Sequence, residues 1–462
     1  MKKISIILST VFIFFSTGCE KYVSKDDVDP NNPIDVPIST LLTTSQVAIF
    51  STYNGQMSRN AGMWVQHFEG TLFQMVEQGA YSVSENDVQN DWNTIYTAGV
   101  ANVNVVISKG ITGGNPYYVG IGEACKAILL GIATDYWGDI PEREAGLGGD
   151  NLYPHFDRQQ IVLDDIQTIL SDAITQLSKG PGENTITPGS DDLIHGGDPA
   201  SWIKTCWILK ARYHNRLSQR DPAGSATAAL ADIDAAIAAG LSSNGDDANA
   251  IYGTDGGTAL NPWFAFQSDR TDYIKLSATL VDTMTALNDP RLMFYGDTVV
   301  GGQVVGAELG SEDVTASNIS STYFASAAEP LPLITYVEAK FIEAEAALRS
   351  GNTGRAQTAY TEAITASITR FGADPTAYLG ANGTLTGGNE LNQIMIQKWI
   401  AMFTQPEAWS DWRRTNIPNV TPNPNGVQST IPVRYPTEQN ERLLNPNAAV
   451  ISDLVTPVWW DL

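Results

Sequence analysis

The chain of 462 residues carries 51 Asp and Glu against 27 Lys and Arg, a formal net charge of −24. So acidic a surface repels nucleic acid and anionic lipid, which excludes phosphate-backbone binding as its main task. The length is ample for a large core, and composition alone suggests about two or three domains.

Lys2 and Lys3 precede an apolar run at residues 4–15, broken only by Ser5, Ser9 and Thr10. That is the order of a secretory signal, too short to act as a stable membrane span. Small residues Ser16, Thr17 and Gly18 then lead into Cys19, the pattern of a bacterial lipobox, in which the thiol is acylated and becomes the new N-terminus. The other reading is an ordinary signal peptide with a chance cysteine. Several acyl chains at about 0.8 kcal/mol per buried methylene hold a protein stably on a membrane. The expectation is a signal peptide at 1–18, lipid attachment at Cys19 and a mature protein tethered to a membrane, not embedded in it. No other stretch is long and apolar enough to span one.

Residues 19–39 are polar after the cysteine and contain Pro30, Pro33 and Pro37, as an extended leash would. From Thr40 onward a 3.6-residue apolar period dominates and strand-like alternation is scarce, so the expected class is all-α. A single domain is expected over 40–462. Its helical scaffold takes about 40–240 and 333–410, with a loop-rich lobe at about 241–332 and an irregular tail at 418–462. Helical pairs are readable at about 120–180 and 200–240. Cys125 and Cys206 each lie on an apolar helical face there, which predicts buried free thiols and no disulfide.

The clearest pair covers 333–370. Val337, Phe341, Ala344 and Leu348 line its first helix, SGNTG breaks it, and Ala356, Tyr360, Ala363 and Ile364 line the second. Ala344, Ala356, Tyr360 and Ala363 fall at the offsets where tetratricopeptide repeats place small, small, aromatic and small residues. Small side chains are needed because the paired helices approach closely. Ile368 stands where such repeats usually end in proline. A further helix is predicted at about 390–404. Helical repeats bury their cores by stacking on neighbours, so these pairs predict one continuous scaffold.

The chain contains no HExxH, GxSxG or phosphate loop, and VGIGEAC at 119–125 lacks the third glycine of a dinucleotide fingerprint. His67, His155, His195 and His214 show no metal-ligand spacing. NGDDAN at 244–249 is acidic enough for calcium but reads better as a solvated loop. Helical spacing spreads Glu338, Glu343 and Glu345 around what should be a solvated face, and a turn and a cap account for Asp135 and Asp139. No catalytic residue, metal or cofactor is expected.

A sugar site needs flat apolar faces for pyranose rings and planar amides, carboxylates or guanidinium groups for hydroxyl pairs. Trp137, Trp207 and Trp399 lie on helical apolar faces and are read as packing. Trp263 and Phe264 differ, sitting in a polar loop beside Asn261, Gln267, Asp269 and Arg270. They are candidate ligand contacts together with Arg270; the other reading is that NPWF plugs the loop onto the scaffold. Tyr81 and Trp92, flanking SVSENDVQND, and Tyr252 in NAIYGTDGG are further candidates. Arg413 and Arg414, beside Asp411 and two tryptophans, are expected to lock helices through stacked ion pairs.

Five segments in order, behind the lipobox, resemble the SusD/RagB family of nutrient-binding outer-membrane lipoproteins, most closely its SusD-like branch. They are GEACKAILLGIATDYWGDIPE (122–142), NPWFAF with LNDPRL (261–266 and 287–292), EAKFIEAEAALRSG (338–351), WSDWRRT (409–415) and RYPTEQNERLLNPN (434–447). The chain departs from the family in the missing repeat proline and in Lys398-Trp399, where many members carry an arginine-rich run. The resemblance implies tetratricopeptide-like pairs carrying a loop-rich ligand lobe. It also implies a non-enzymatic, surface-exposed lipoprotein of the outer membrane that captures a nutrient for a SusC-like TonB-dependent transporter. The nutrient so implied is an oligosaccharide or, in some members, a peptide. The acidic residues just past Cys19 resemble the export signal that sends such lipoproteins to the cell surface.

Overall fold

A computed structural model describes residues 35–254 and 260–462. The expected signal, Cys19 and most of the expected leash lie outside the described residues. Helix makes up 55% and strand 4%, which bears out the all-α expectation.

In chain order the elements are α1 (Ile38–Asn54), α2 (Gln56–Trp64), β1 (Phe68–Gly70), α3 (Gln74–Gly79) and α4 (Gln89–Asn93). A π-helical stretch (Thr94–Val100) leads into α5 (Ala101–Gly113), followed by α6 (Pro116–Trp137), α7 (Gln159–Leu177), α8 (Pro199–Arg216) and α9 (Pro222–Ala238). The next stretch holds only short elements: β2 (Ala248–Ala250), α10 (Pro262–Asp269), β3 (Ile274–Leu276), α11 (Ala278–Ala286), α12 (Leu292–Tyr295) and β4 (Leu331–Ile334). The chain then returns to helices: α13 (Tyr336–Arg349), α14 (Thr353–Thr369), α15 (Thr376–Asn382), α16 (Glu390–Ala401), α17 (Glu407–Thr415) and, in an otherwise irregular tail, α18 (Gln439–Leu444).

The tightest neighbours are the antiparallel pairs α6–α7, α8–α9 and α13–α14, and α7–α8 and α9–α13 join them into one stack. Local sequence starts these helices. Asp198 accepts from the Ala200 and Ser201 amides at the head of α8, Asp221 caps α9, Thr335 caps α13 and Asn352 caps α14. Close approach demands small residues at the contacts. A Cβ on Gly131 of α6 would lie 1.7 Å from the Tyr213 hydroxyl of α8, so a larger residue there would displace the buried Tyr213 ring. Ala344, Ala356, Tyr360 and Ala363 are all buried, as the repeat spacing predicts. Ile368, in the place of the repeat proline, is buried too, and α14 runs on to Thr369. Cys125 and Cys206 are buried free thiols.

The glutamates of α13 correct an expectation. Glu338, Glu343 and Glu345 do not form a solvated face; all three are buried. Arg212 of α8 forks onto Glu338 with two contacts of 2.6 Å. Arg355 of α14 and Lys340 hold Glu343 at 2.8 and 2.9 Å. Arg414 of α17 grips Glu345 and reaches Asp411 at 2.9 Å, and Asp411 also takes Lys398 at 2.7 Å. Arg414 therefore locks helices, as read from the sequence. Arg413 does so differently: its guanidinium lies 3.6 Å over the Trp409 ring and donates to the Asp135 and Val433 carbonyls. Asp135 is no turn residue either, because it is buried against Arg216, which also binds Glu407 at 2.7 Å. Asp139 does act as a cap, accepting from the Gln159 amide at the head of α7.

Two sets of carboxyl groups give this fold its pH dependence. Burial alone would raise Asp411 and Glu345, but the flanking Lys398 and Arg414 hold Asp411 at about 2, and Arg414 holds Glu345 below its usual range. That stabilisation is present above roughly pH 4 and is lost as pH falls through the lowered values. Glu69, Asp91 and Asp247 are instead pushed up to about 7 by burial. The folded protein keeps these protons where the unfolded chain has released them, so stability declines as pH rises from about 4 through about 7. Thermal melts should give a higher Tm at pH 5 than at pH 8, and Glu69→Gln should flatten the slope. A Tm that climbs steadily from pH 5 to 8 would contradict this.

Candidate functional site

Three of the six candidate ligand residues prove to be core. Trp263 is 0% exposed, with its ring 4.9 Å from that of Phe68. Its neighbour Asn261 is buried as well, capping α10 by accepting from the Trp263 and Phe264 amides while donating to the Phe324 and Glu329 carbonyls. NPWF thus plugs the lobe onto the scaffold. Trp92 is buried among Tyr96, Trp137 and Phe156, and Tyr81 is buried with its hydroxyl accepting from the Asn423 amide at 2.6 Å. The polar run between Tyr81 and Trp92 reaches solvent while the two rings turn inward. Tyr252 is half-buried, edge-on to Phe50 and accepting from the Asn54 amide group, and Phe264 is half-buried on α10. Arg270 is exposed at the end of α10, with its guanidinium 5.6 Å from the Phe266 ring centre.

A different ring stands open beside Arg270. β1 and β3 pair antiparallel, with Gly70 opposite Ile274, and bring residues 71–73 alongside 270–273. The Thr71 amide donates to the Tyr273 carbonyl at 2.9 Å, and its hydroxyl donates to the Asp272 carbonyl at 2.5 Å. Past Gly70 the chain doubles back so tightly that a Cβ there would lie 2.0 Å from the Met75 carbonyl oxygen. Phe73 closes this reversal at φ 49°, a conformation that costs a bulky residue about 1–3 kcal/mol. Its ring is 69% exposed and lies 5.1 Å from Tyr273, tilted by 32°. Tyr273 in turn meets Phe266 edge-on at 6.3 Å.

Phe73 just past β1, the half-buried Tyr273 just before β3 and the buried Phe266 of α10 form a row of rings that opens to solvent at Phe73. Two guanidinium groups accompany it, Arg270 and Arg59 of α2, the latter 4.3 Å over Phe266. The Arg59 Nε is buried and has no hydrogen-bond partner among the described residues. Burial pulls Arg59 down to about 10, opposed by the nearby Asp91 carboxyl, so it stays charged at neutral pH. An exposed ring in a strained backbone, with a neighbouring ring and free N–H donors, can stack on an apolar ring face and fork onto hydroxyl groups. Sequence reading reached Arg270 and missed Phe73, Tyr273, Phe266 and Arg59.

Another depression, of about 390 Å³, lies between the end of α6 and the C-terminal segment, lined by Trp137, Arg434 and Trp459 among others. Trp137 is buried, Arg434 donates to the Trp137 and Tyr435 carbonyls, and Arg220 already covers Trp459. It offers less to a ligand than the Phe73 row.

A SusD-like family described as "Starch-binding associating with outer membrane" matches residues 30–436. The chain belongs to this family. The fold of this SusD-like chain is shared with a SusD/RagB family protein from Bacteroides thetaiotaomicron, 24% identical, with 92% and 99% of the two chains covered and a TM-score of 0.77. It is likewise similar to a chitin-binding SusD homolog from Flavobacterium johnsoniae, 21% identical over 91% and 98%, TM-score 0.77. A second SusD-like protein from B. thetaiotaomicron is 22% identical over 92% and 98%, TM-score 0.75. Comparison with curated proteins found no match. Among the described residues, no helix of this SusD-like chain is long and apolar enough to cross a membrane.

Proposed function

We propose that the chain is a surface lipoprotein that binds an oligosaccharide on the Phe73–Tyr273–Phe266 row and delivers it to a SusC-like TonB-dependent transporter. The observation that carries this reading is the open Phe73 ring, held at φ 49° within 5.1 Å of Tyr273. Strained backbone of this kind clusters at ligand-binding sites, and here it carries an aromatic ring that is exposed beside a second ring. Arg59 and Arg270 supply donors for hydroxyl groups at one end of the row. The starch binding by which the family is described and the chitin binding of one structural relative favour glycan over peptide. In this reading Cys19 carries the lipid, the expected leash at 19–39 follows it, and Phe73 and Arg59 of the scaffold join Phe266, Arg270 and Tyr273 of the 241–332 lobe in one site. The chain binds its ligand and does not cleave it.

Affinity electrophoresis of the protein through gels containing starch or a soluble chitin derivative tests this. Retardation by either polysaccharide supports the reading. Unchanged migration on every polysaccharide, with measurable peptide binding, would replace glycan by peptide. Release of reducing ends by the purified protein would make it a hydrolase.

A further inference from the structure

NGDDAN at 244–249 is not accounted for by the Phe73 row. Asp246 binds Lys204 at 2.5 Å and the Ser242 amide at 2.8 Å, and one Asp247 oxygen accepts from the Tyr336 amide at 2.7 Å. These carboxylates fasten the turn onto α8 and α13. In doing so they shape a groove, seen as two adjoining cavities of about 290 and 400 Å³ that share Asn244 and Thr369 in their walls.

The two ends of the groove differ in chemistry. At one end the half-buried Tyr336 ring faces Thr361, Thr365 and Ala366 of α14. The Thr361 and Thr365 hydroxyls donate back to the Gln357 and Thr361 carbonyls at 3.0 and 2.7 Å. With the hydroxyls engaged on their own helix, this end is mostly apolar. The Tyr336 hydroxyl itself has no protein partner among the described residues. At the other end stand Asp247, Asn249, Glu329 and Arg370. Arg370 is half-buried and its guanidinium makes no hydrogen bond or ion pair among the described residues. The side-chain carbonyls of Asn244 and Asn249 also lack partners there. Buried polar groups are nearly always satisfied, so this concentration of unused donors and acceptors is open to water or to a polar ligand. One aromatic face beside a guanidinium, an amide and two carboxyl groups is the composition that a pyranose ring requires.

We propose that this groove is a second saccharide-binding site, stacking a pyranose ring of a neutral glycan on Tyr336 and bonding its hydroxyls to Arg370, Asn249 and Glu329. Burial pushes Asp247 up to about 7 and raises Glu329, in both cases against the pull of Arg370, so below about pH 7 Asp247 can donate as well as accept. The groove stands on its own residues and shares none with the Phe73 row.

Calorimetric titration of maltohexaose and chitohexaose into the wild type, Phe73→Ala, Tyr336→Ala and Arg370→Ala tests this. The wild type should show two classes of site for one of these sugars. Each groove variant should weaken one class at least tenfold and leave intact the class that Phe73→Ala removes. Tyr336 opens α13 and its loss can disturb the fold; Arg370→Ala removes a side chain with no protein partner and keeps the test interpretable. If Phe73→Ala abolishes all binding and Arg370→Ala changes nothing, the groove is overturned and the Phe73 row stands. If only the groove variants lose binding, the groove stands and the Phe73 row is overturned. If neither sugar binds the wild type, both are overturned.

Discussion

Arg414→Ala is expected to cost about 3–5 kcal/mol of stability, seen as a large fall in the urea midpoint. Arg414 is buried between α13 and α17, binding Glu345 and Asp411 and donating to the Ser218 hydroxyl at 2.8 Å. Removing it leaves Glu345 in the interior with Arg349 at 3.3 Å and the Asn215 side-chain amide at 3.0 Å, and leaves Asp411 to Lys398 alone. An uncompensated buried carboxylate is far more costly than the ion pair was favourable. Arg414→Lys should recover part of the loss only, since one ammonium cannot fork onto Glu345 and also reach Asp411. A change below about 1 kcal/mol, the usual size for a surface pair, would show that the network does not hold these helices.

Trp263→Ala should be of similar size, about 3–5 kcal/mol, but through packing. The ring fills space against Phe68, and its Nε1 has no hydrogen-bond partner, so no hydrogen bond is lost with it. The void would open where α10 plugs onto β1, beneath the Phe73 row. Trp263→Phe should restore much of the stability. Glycan affinity of the folded fraction should be unchanged, because the indole does not reach solvent. A variant of normal stability with lost affinity would return Trp263 to the binding surface.

Fold and site were unequally legible in the sequence. The α13–α14 pair could be read because its small residues and Tyr360 recur at helical spacing, and that spacing alone decides which face meets a neighbour. The same logic failed for Glu338, Glu343 and Glu345. Periodicity treats charge as a mark of solvent and cannot see Arg212, 126 residues away, folding onto Glu338. The two readings of Trp263 stayed open for a related reason: Asn261 made its surroundings look wet, yet that asparagine is a buried cap. Phe73 was missed because GTLFQM reads as an ordinary apolar stretch. Its exposure comes from a reversal at Gly70 and from pairing with a strand some two hundred residues later, neither of which leaves a periodic trace. Tyr273 and Phe266 acquire meaning only once that strand pair forms. Arg270 stood out because it lies in a polar loop.

The open ring of Phe73 is expected to capture an oligosaccharide. Calorimetric titration of the wild type and Phe73→Ala with the polysaccharide that retards the wild type most strongly tests it directly. An exposed ring lies outside the core and alanine keeps the Cβ that strains φ 49°, so the substitution should leave stability within about 0.5 kcal/mol. Affinity should fall about tenfold or more, equivalent to about 1.4 kcal/mol. Equal affinities in two proteins of equal stability would contradict the claim and move the ligand elsewhere on the molecule.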